Sequence, residues 1–222
     1  MPSPRSPAST TRERLIETAE RLFAVNGIAA VSLREIAAAA GQRNTSAVHY
    51  YFGDKQELVR AIFEYRMRDI NALRMEMLKR IADGGPQDDL RVLLEALVFP
   101  LAANILEGSH YARFFSQLAA DPVHRREFLH FGWEEADGLN AVWDGITARL
   151  SGLPEAVLRN RLRMLRTLVI MTAGDMEQRG ATAEAGTPQP WAVDLVDAAE
   201  GMLTAPSRDA EAPPGRADRP VS

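Results

Sequence analysis

The sequence predicts an all-α fold of about nine helices, divided between a small front module and a larger rear one. Three observations carry that prediction. Ala, Leu, Arg and Glu dominate the body of the chain, and no sustained period-2 run of β-branched residues interrupts it. Three successive stretches near the front each begin with a capping-box pattern. At 222 residues, 46% hydrophobic and 25% charged, the chain also has the composition of a globular protein.

The elements follow in order. Residues 1–9 are rich in Pro and Ser and residues 205–222 in Pro, Ala and charge, so both are expected to be disordered tails. Thr10-x-x-Glu13 opens a first helix with Leu15, Ile16, Ala19, Leu22 and Phe23 on one face, ending at Asn26-Gly27. Ser32-x-x-Glu35 opens a second, which buries Leu33, Ile36, Ala37 and Ala40 and stops at Gly41. The turn Gly41-Gln42-Arg43-Asn44 leads to a short third helix from about Thr45 to Tyr51. Asp54-x-x-Glu57 then starts a long fourth helix running to about Ala82. Breaks at Gly84-Gly85-Pro86, Gly108-Ser109, Asp121-Pro122, Gly152-Leu153-Pro154 and Gly180 to Pro190 cut the remainder into about five more helices. Pro100 falls inside the one spanning roughly 86–107 and is expected to kink it.

Charge and composition exclude several classes. No cysteine is present, which rules out disulfides, thiolate metal sites and cysteine nucleophiles. The apolar runs are too short and too often broken by charge to span a membrane, and the first residues lack the apolar stretch of a secretory signal. A soluble, cytoplasmic protein is expected. The net charge of −4 argues against indiscriminate coating of nucleic acid. It is unevenly spread, however: residues 1–60 hold eight Lys/Arg against six Asp/Glu, a net of +2, and the rest carries −6.

Two short helices joined by a glycine-containing turn, behind a packing helix, form the plan of a helix-turn-helix. At about 100° per residue, Val48 and Phe52 lie within about 40° of each other on the third helix and form its packing face. Ser46, His49 and Tyr50 point the other way, with Thr45 and Ala47 at the margins and Tyr51 flanking. The outward face is small, hydrogen-bonding and free of carboxylates, which suits entry into a major groove walled by phosphates.

Four segments, Thr11–Ile16, Leu22–Gly27, Leu33–Ala37 and Val48–Leu58, together resemble the tetracycline-repressor (TetR) family of transcriptional regulators. The resemblance covers about residues 11–60 and rests on several motifs in the right order. It implies a homodimer whose N-terminal domains (here 10–56) bind a palindromic DNA operator. It further implies a C-terminal helical domain (here 57–204) with a small-molecule pocket and a dimer-forming helix pair. Repression, relieved by a small apolar or amphipathic effector, is the mode it implies. No enzymatic activity, cofactor or metal is expected.

By that resemblance Arg34 reaches a base or phosphate, and Thr45, Ser46 and Ala47 start the recognition helix. His49 takes a position where the family often has a DNA-contacting tyrosine, Tyr51 one where it often has His or Tyr, and Lys55 matches a backbone-contacting lysine. One departure stands out: between Gly41 and the recognition helix there is one residue more than the common pattern. Gln42-Arg43-Asn44 is therefore expected to bulge, bringing Arg43 towards a phosphate. The expected DNA-contacting set is Arg34, Arg43, Asn44, Thr45, Ser46, Ala47, His49, Tyr50, Tyr51 and Lys55. From the residues alone, Arg34, Arg43 and Lys55 are equally readable as solvated surface charges, and Tyr51 as a packing ring. Arg5, Arg12 and Arg14 are readable as a minor-groove arm or as a frayed terminus.

In the rear module, Phe63, Met67, Phe114, Trp133 and Met171, with Asn104 and His110 among them, offer either a plain core or an apolar cavity with a few polar groups. The family resemblance favours the cavity. The segment 154–179 carries Leu158, Leu162, Leu165 and Val169 as an apolar stripe, with Arg159, Arg163 and Arg166 on another face. Together with Trp191 and Leu195 of 190–203 it is readable as an isologous dimer interface or as an intramolecular bundle. The rival classes are an all-α enzyme and a helical adaptor. No Gly-x-Ser-x-Gly elbow, phosphate-binding glycine loop, dinucleotide fingerprint or His-Glu-x-x-His occurs. His49, His110, His124 and His130 lack metal-ligand spacing, and Glu134, Glu135 and Asp137 diverge around a helix.

Overall fold

The first two helices begin where their capping boxes put them, each box closed in both directions by hydrogen bonds of 2.7 to 3.2 Å. The computed structural model describes residues 10–82, 89–121, 137–181 and 187–207. Among them are nine helices and no strand. They are α1 (Thr11–Asn26), α2 (Leu33–Ala39), α3 (Ser46–Phe52), α4 (Lys55–Ala82), α5 (Leu90–Ala103), α6 (Tyr111–Ala120), α7 (Asp137–Arg149), α8 (Glu155–Gln178) and α9 (Pro190–Thr204). The expected N-terminal tail, residues 208–222 of the expected C-terminal one, and Trp133, His124, His130, Glu134 and Glu135 lie outside the described residues. No described helix is long and apolar enough to cross a membrane.

The third box closes by half. Asp54 Oδ1 accepts from the Glu57 N–H at 2.9 Å, but the Asp54 N–H donates to the Phe52 carbonyl at 2.9 Å and Glu57 turns to Arg60. Helix α5 ends at Ala103, earlier than the sequence suggested, because the chain continues for one turn after Pro100 and Asn104 then closes it. The Asn104 side-chain amide donates to the Pro100 carbonyl at 2.9 Å. Pro100 has no N–H, so the Ala96 carbonyl loses its helical donor. Arg74 of α4 supplies one from Nε at 3.0 Å.

One hydrophobic cluster runs from Leu15 to Leu203. Helix α1 packs against α2, α4 and α6, with the Phe23 and Phe114 rings stacked 6.2 Å apart. Buried Glu20 of α1 accepts two hydrogen bonds from Arg66 of α4, at 2.6 and 3.0 Å. Helix α5 lies between α4, α7 and α9, and all eight of its buried residues are apolar. Arg161 of α8 ties down the end of α9, donating to the Leu203 and Ala205 carbonyls at 2.5 Å each.

The stripe on α8 faces inward. Leu165 and Val169 are buried and Leu158 and Leu162 half-buried, all against the chain's own core, as are Leu195 and half-buried Trp191 of α9. Of the six residues expected at an interface with a second copy, Leu158, Leu162 and Trp191 are half-buried in the single chain, in which α8 packs on α6 and α9. The outward face carries Arg163, Met164, Thr167 and Met171, with Met164 54% exposed.

Candidate nucleic-acid interface

The turn between α2 and α3 is built from backbone geometry. Gly41 has φ +75°, which only glycine adopts without strain, and its N–H donates to the Ala38 carbonyl at 3.1 Å. The Gln42 N–H donates to the Ala37 carbonyl at 2.8 Å, so α2 closes in a Schellman motif. Half-buried Gln42 then leads to Arg43 and Asn44, both exposed. Asn44 has a local duty that the sequence reading missed: its Oδ1 accepts from the Ser46 N–H at 2.9 Å and caps α3. Thr45, at the N-cap position, makes no side-chain cap bond. The signal was an Asn two residues before a helix, the Asx-turn spacing.

Helix α3 is pinned by Val48, fully buried, and by Phe52, over whose ring the Arg12 guanidinium sits at 5.5 Å. Arg12 thus braces α1 against α3. Ser46, His49, Tyr50 and Tyr51 are exposed, Thr45 and Ala47 half-buried. Tyr50, at 82% exposure, is the most prominent, and its ring meets Tyr51 edge-on at 5.0 Å. The His49 Nδ1 lies 2.7 Å from the Gly53 carbonyl. In the neutral ring this makes Nδ1–H the donor and leaves Nε2 as an acceptor. Arg34 is exposed on α2.

Lys55 differs from the others. Its Nζ donates to the Ala29 carbonyl at 3.4 Å and sits 5.6 Å from the centre of the Phe23 ring, half-buried. Burial pulls its pKa down, with Asp121 and Glu35 opposing. Nine of the ten expected DNA-contacting residues thus lie along α2, the turn and α3, while the tenth folds back against α1.

Of the rear-module residues expected to line one pocket, Trp133 lies outside the described residues and the others are spread between the core and two clefts. Phe63, Met67 and Phe114 are buried in the core. Asn104 and His110 line an open cleft of about 380 Å³ beside Glu17, Glu20 and Arg66. Burial and Arg113 hold His110 below its ordinary pKa. Met171 is 49% exposed and borders a second cleft of about 500 Å³ with Val25, Arg113 and Gln117. The sequence pattern identified these side chains as apolar or polar but could not say which side of a helix they share. Among the described residues, no group of three or more His, Cys, Asp or Glu is placed to hold a metal ion.

Comparison with known proteins adds to this geometry. Residues 15–62, which span α2 and α3, match the model of bacterial regulatory proteins of the tetR family. The chain is 35% identical over 100 residues to the HTH-type transcriptional regulator AcrR of Shigella flexneri, covering 45% of this chain and 44% of that one. Two solved structures share the fold. One is AmtR of Mycobacterium smegmatis, at TM-score 0.55 and 18% identity over 94% of this chain and 93% of that one. The other is a TetR family transcription regulator from Marinobacter aquaeolei VT8, at 0.56 and 19% over 86% and 94%.

Proposed function

We propose that the chain, whose residues 15–62 match the model of the tetR family of bacterial regulatory proteins, is a regulator of that family and binds a palindromic DNA operator as a homodimer. In this reading residues 10–56 form the DNA-binding domain and 57–204 the effector-binding and dimerisation domain. The regulator represses transcription until a small apolar or amphipathic effector releases it. The observation that carries the reading is the outward face of α3, Ser46, His49 and Tyr50 without a carboxylate, flanked by Arg34 and Arg43. Phosphate contacts from the arginines would set the register, and α3 would read base edges. With Nδ1 engaged, neutral His49 offers Nε2 to an amino group of cytosine or adenine.

A half-site read by one short helix gives few base contacts, so two copies are needed for specificity. The outward face of α8, with Met164 and Met171 exposed, supplies apolar surface for pairing.

The test is binding to a selected palindromic site across a salt series. Counterion release gives a log–log slope of about −0.9 per neutralised phosphate. If Lys55 swings out to a phosphate, Lys55→Ala flattens the slope by about one unit and weakens all sequences alike. An unchanged slope leaves Lys55 as a brace between Ala29 and Phe23. A protein that shows no preference for any palindrome over random duplex overturns the whole reading.

A further inference from the structure

His49 is exposed on α3, and its ring is tied to the end of its own helix, with Nδ1 2.7 Å from the Gly53 carbonyl. A carbonyl oxygen only accepts, so Nδ1 carries the proton and the neutral ring is the Nδ1–H tautomer. The other tautomer would set two acceptors against each other at that distance. The carbonyl is itself held in place. The Gly53 N–H donates to the His49 carbonyl at 2.9 Å, and Gly53 takes φ +74°, a conformation that favours glycine. Backbone geometry therefore decides what His49 offers outward: Nε2, across the ring, is an acceptor for as long as the ring is neutral.

Histidine is also the side chain whose charge changes between about pH 5 and pH 8. With Nδ1 already protonated, the added proton goes to Nε2 and turns an acceptor into a donor without moving the ring. The charged groups on the elements around α3 are engaged elsewhere or exposed. On α1, Glu13 is held by Thr10, Arg12 sits over the Phe52 ring and Arg14 donates to Thr11. On α2, Glu35 closes its capping box with Ser32, and Arg34 is exposed. In the turns on either side of α3, Arg43 is exposed and Asp54 accepts from the Glu57 N–H. On α4, Lys55 donates to the Ala29 carbonyl and Glu57 pairs with Arg60. Tyr50 and Tyr51 of α3 meet each other edge-on. Among the described residues, the bond of the His49 ring is to the Gly53 carbonyl and not to a carboxylate.

We infer that His49 makes the base preference of this chain depend on pH: the neutral ring selects a base that presents an amino group, and the protonated ring selects guanine. The inference rests on reading α3 as the helix that enters the major groove, and it adds the proton to that reading. In the groove, cytosine N4 and adenine N6 present donors that an Nε2 lone pair accepts, whereas guanine presents two acceptors, N7 and O6. A neutral Nε2 facing guanine meets only lone pairs, and Nδ1–H cannot serve guanine without giving up Gly53. Once protonated, Nε2–H donates to guanine, and the charge on the ring strengthens the bond. That charge also draws the ring to phosphates, but this gain is the same for every sequence. The exchange of one base for another is not.

Selection of duplexes bound by the full chain from a library with a randomised palindromic half-site, run at about pH 8 and about pH 5.5, tests this. One position of each half-site should change from cytosine or adenine to guanine, by about tenfold in relative enrichment, while the other positions keep their bases. His49→Gln offers both a donor and an acceptor and does not titrate, so its preferred base at that position should be the same at both pH values. In the free protein at about pH 8, nitrogen-15 NMR should show Nδ1 protonated and Nε2 bare, the His49 signals being those lost in His49→Gln. An enriched site with the same bases at both pH values overturns the inference and leaves the DNA-binding reading standing. A change of base that persists in His49→Gln overturns it too, by assigning the proton to another group, as does a protonated Nε2 in the neutral ring. No enriched duplex at either pH overturns the DNA-binding reading and the inference with it.

Discussion

His49 and Phe52 sit three residues apart on α3, the first exposed and the second buried, so replacing each tests a different claim. His49 is exposed, and among the described residues its ring bonds to the end of its own helix, at Gly53. His49→Ala should therefore leave the melting temperature nearly unchanged while costing about 1–3 kcal/mol of preference for the operator over a mutated half-site. Phe52 is 7% exposed and carries the Arg12 guanidinium on its ring. Phe52→Ala should cost about 3–5 kcal/mol of stability, losing DNA binding only as a consequence. Circular-dichroism melts with competition binding on both variants separate the two; an early-melting His49→Ala would mean that its ring is structural. The direction of these side chains was legible in the sequence because a seven-residue helix leaves little freedom once Val48 and Phe52 are buried. The inward fold of Lys55 was not legible: its partners Ala29 and Phe23 come from elements far earlier in the chain, and motif position says nothing of them.

Helix α8 is fastened to α6 by two contacts that local pattern does not reveal. Gly174 lies against Ser116, where a Cβ would stand 2.2 Å from the hydroxyl oxygen, and that hydroxyl lies within 3.0 Å of the Ala112 and Ile170 carbonyls. Glu177, three residues on, accepts from the Ala112 and Arg113 N–H groups at 3.2 and 2.9 Å and from the Ser109 hydroxyl at 2.7 Å. It caps α6 from another helix, where a negative charge is favoured. Gly174→Ala should cost about 1–3 kcal/mol by overpacking, and adding Ser116→Ala should recover most of it. Urea unfolding of the two single variants and the double checks this; additive losses would mean that the helices do not meet there. Helix boundaries and the stripe on α8 were readable because caps and periodicity are local. What the stripe faces was not, since a period gives a face and not the partner covering it. Arg161, Glu20 and Glu177 are buried by partners more than forty residues away, which local pattern does not reveal either.

At the scale of the whole molecule, α1 belongs to both halves. It packs on α2 at the front, and on α4 and α6 behind, through the stacked rings of Phe23 and Phe114 and the paired Glu20 and Arg66. Because the cluster from Leu15 to Leu203 is continuous, front and rear should unfold together. All three tryptophans come late in the sequence, at positions 133, 143 and 191, so their fluorescence follows the rear while far-ultraviolet circular dichroism follows every helix. In the parent chain the two signals should coincide through a denaturant titration. Glu20→Ala leaves Arg66 without the buried carboxylate that both of its hydrogen bonds reach, and breaking such a pair costs about 3 kcal/mol or more. The loss falls on the contact between the halves, so the dichroism should begin to fall before the fluorescence does. Replacing the pair by apolar residues of similar size, Glu20→Leu with Arg66→Met, removes the stranded charge and should bring the transitions back together. Coincident signals in Glu20→Ala at lowered stability would show that the cluster alone holds front to rear. Separation that persists in the double variant would show that the ion pair itself, rather than its packing, joins them.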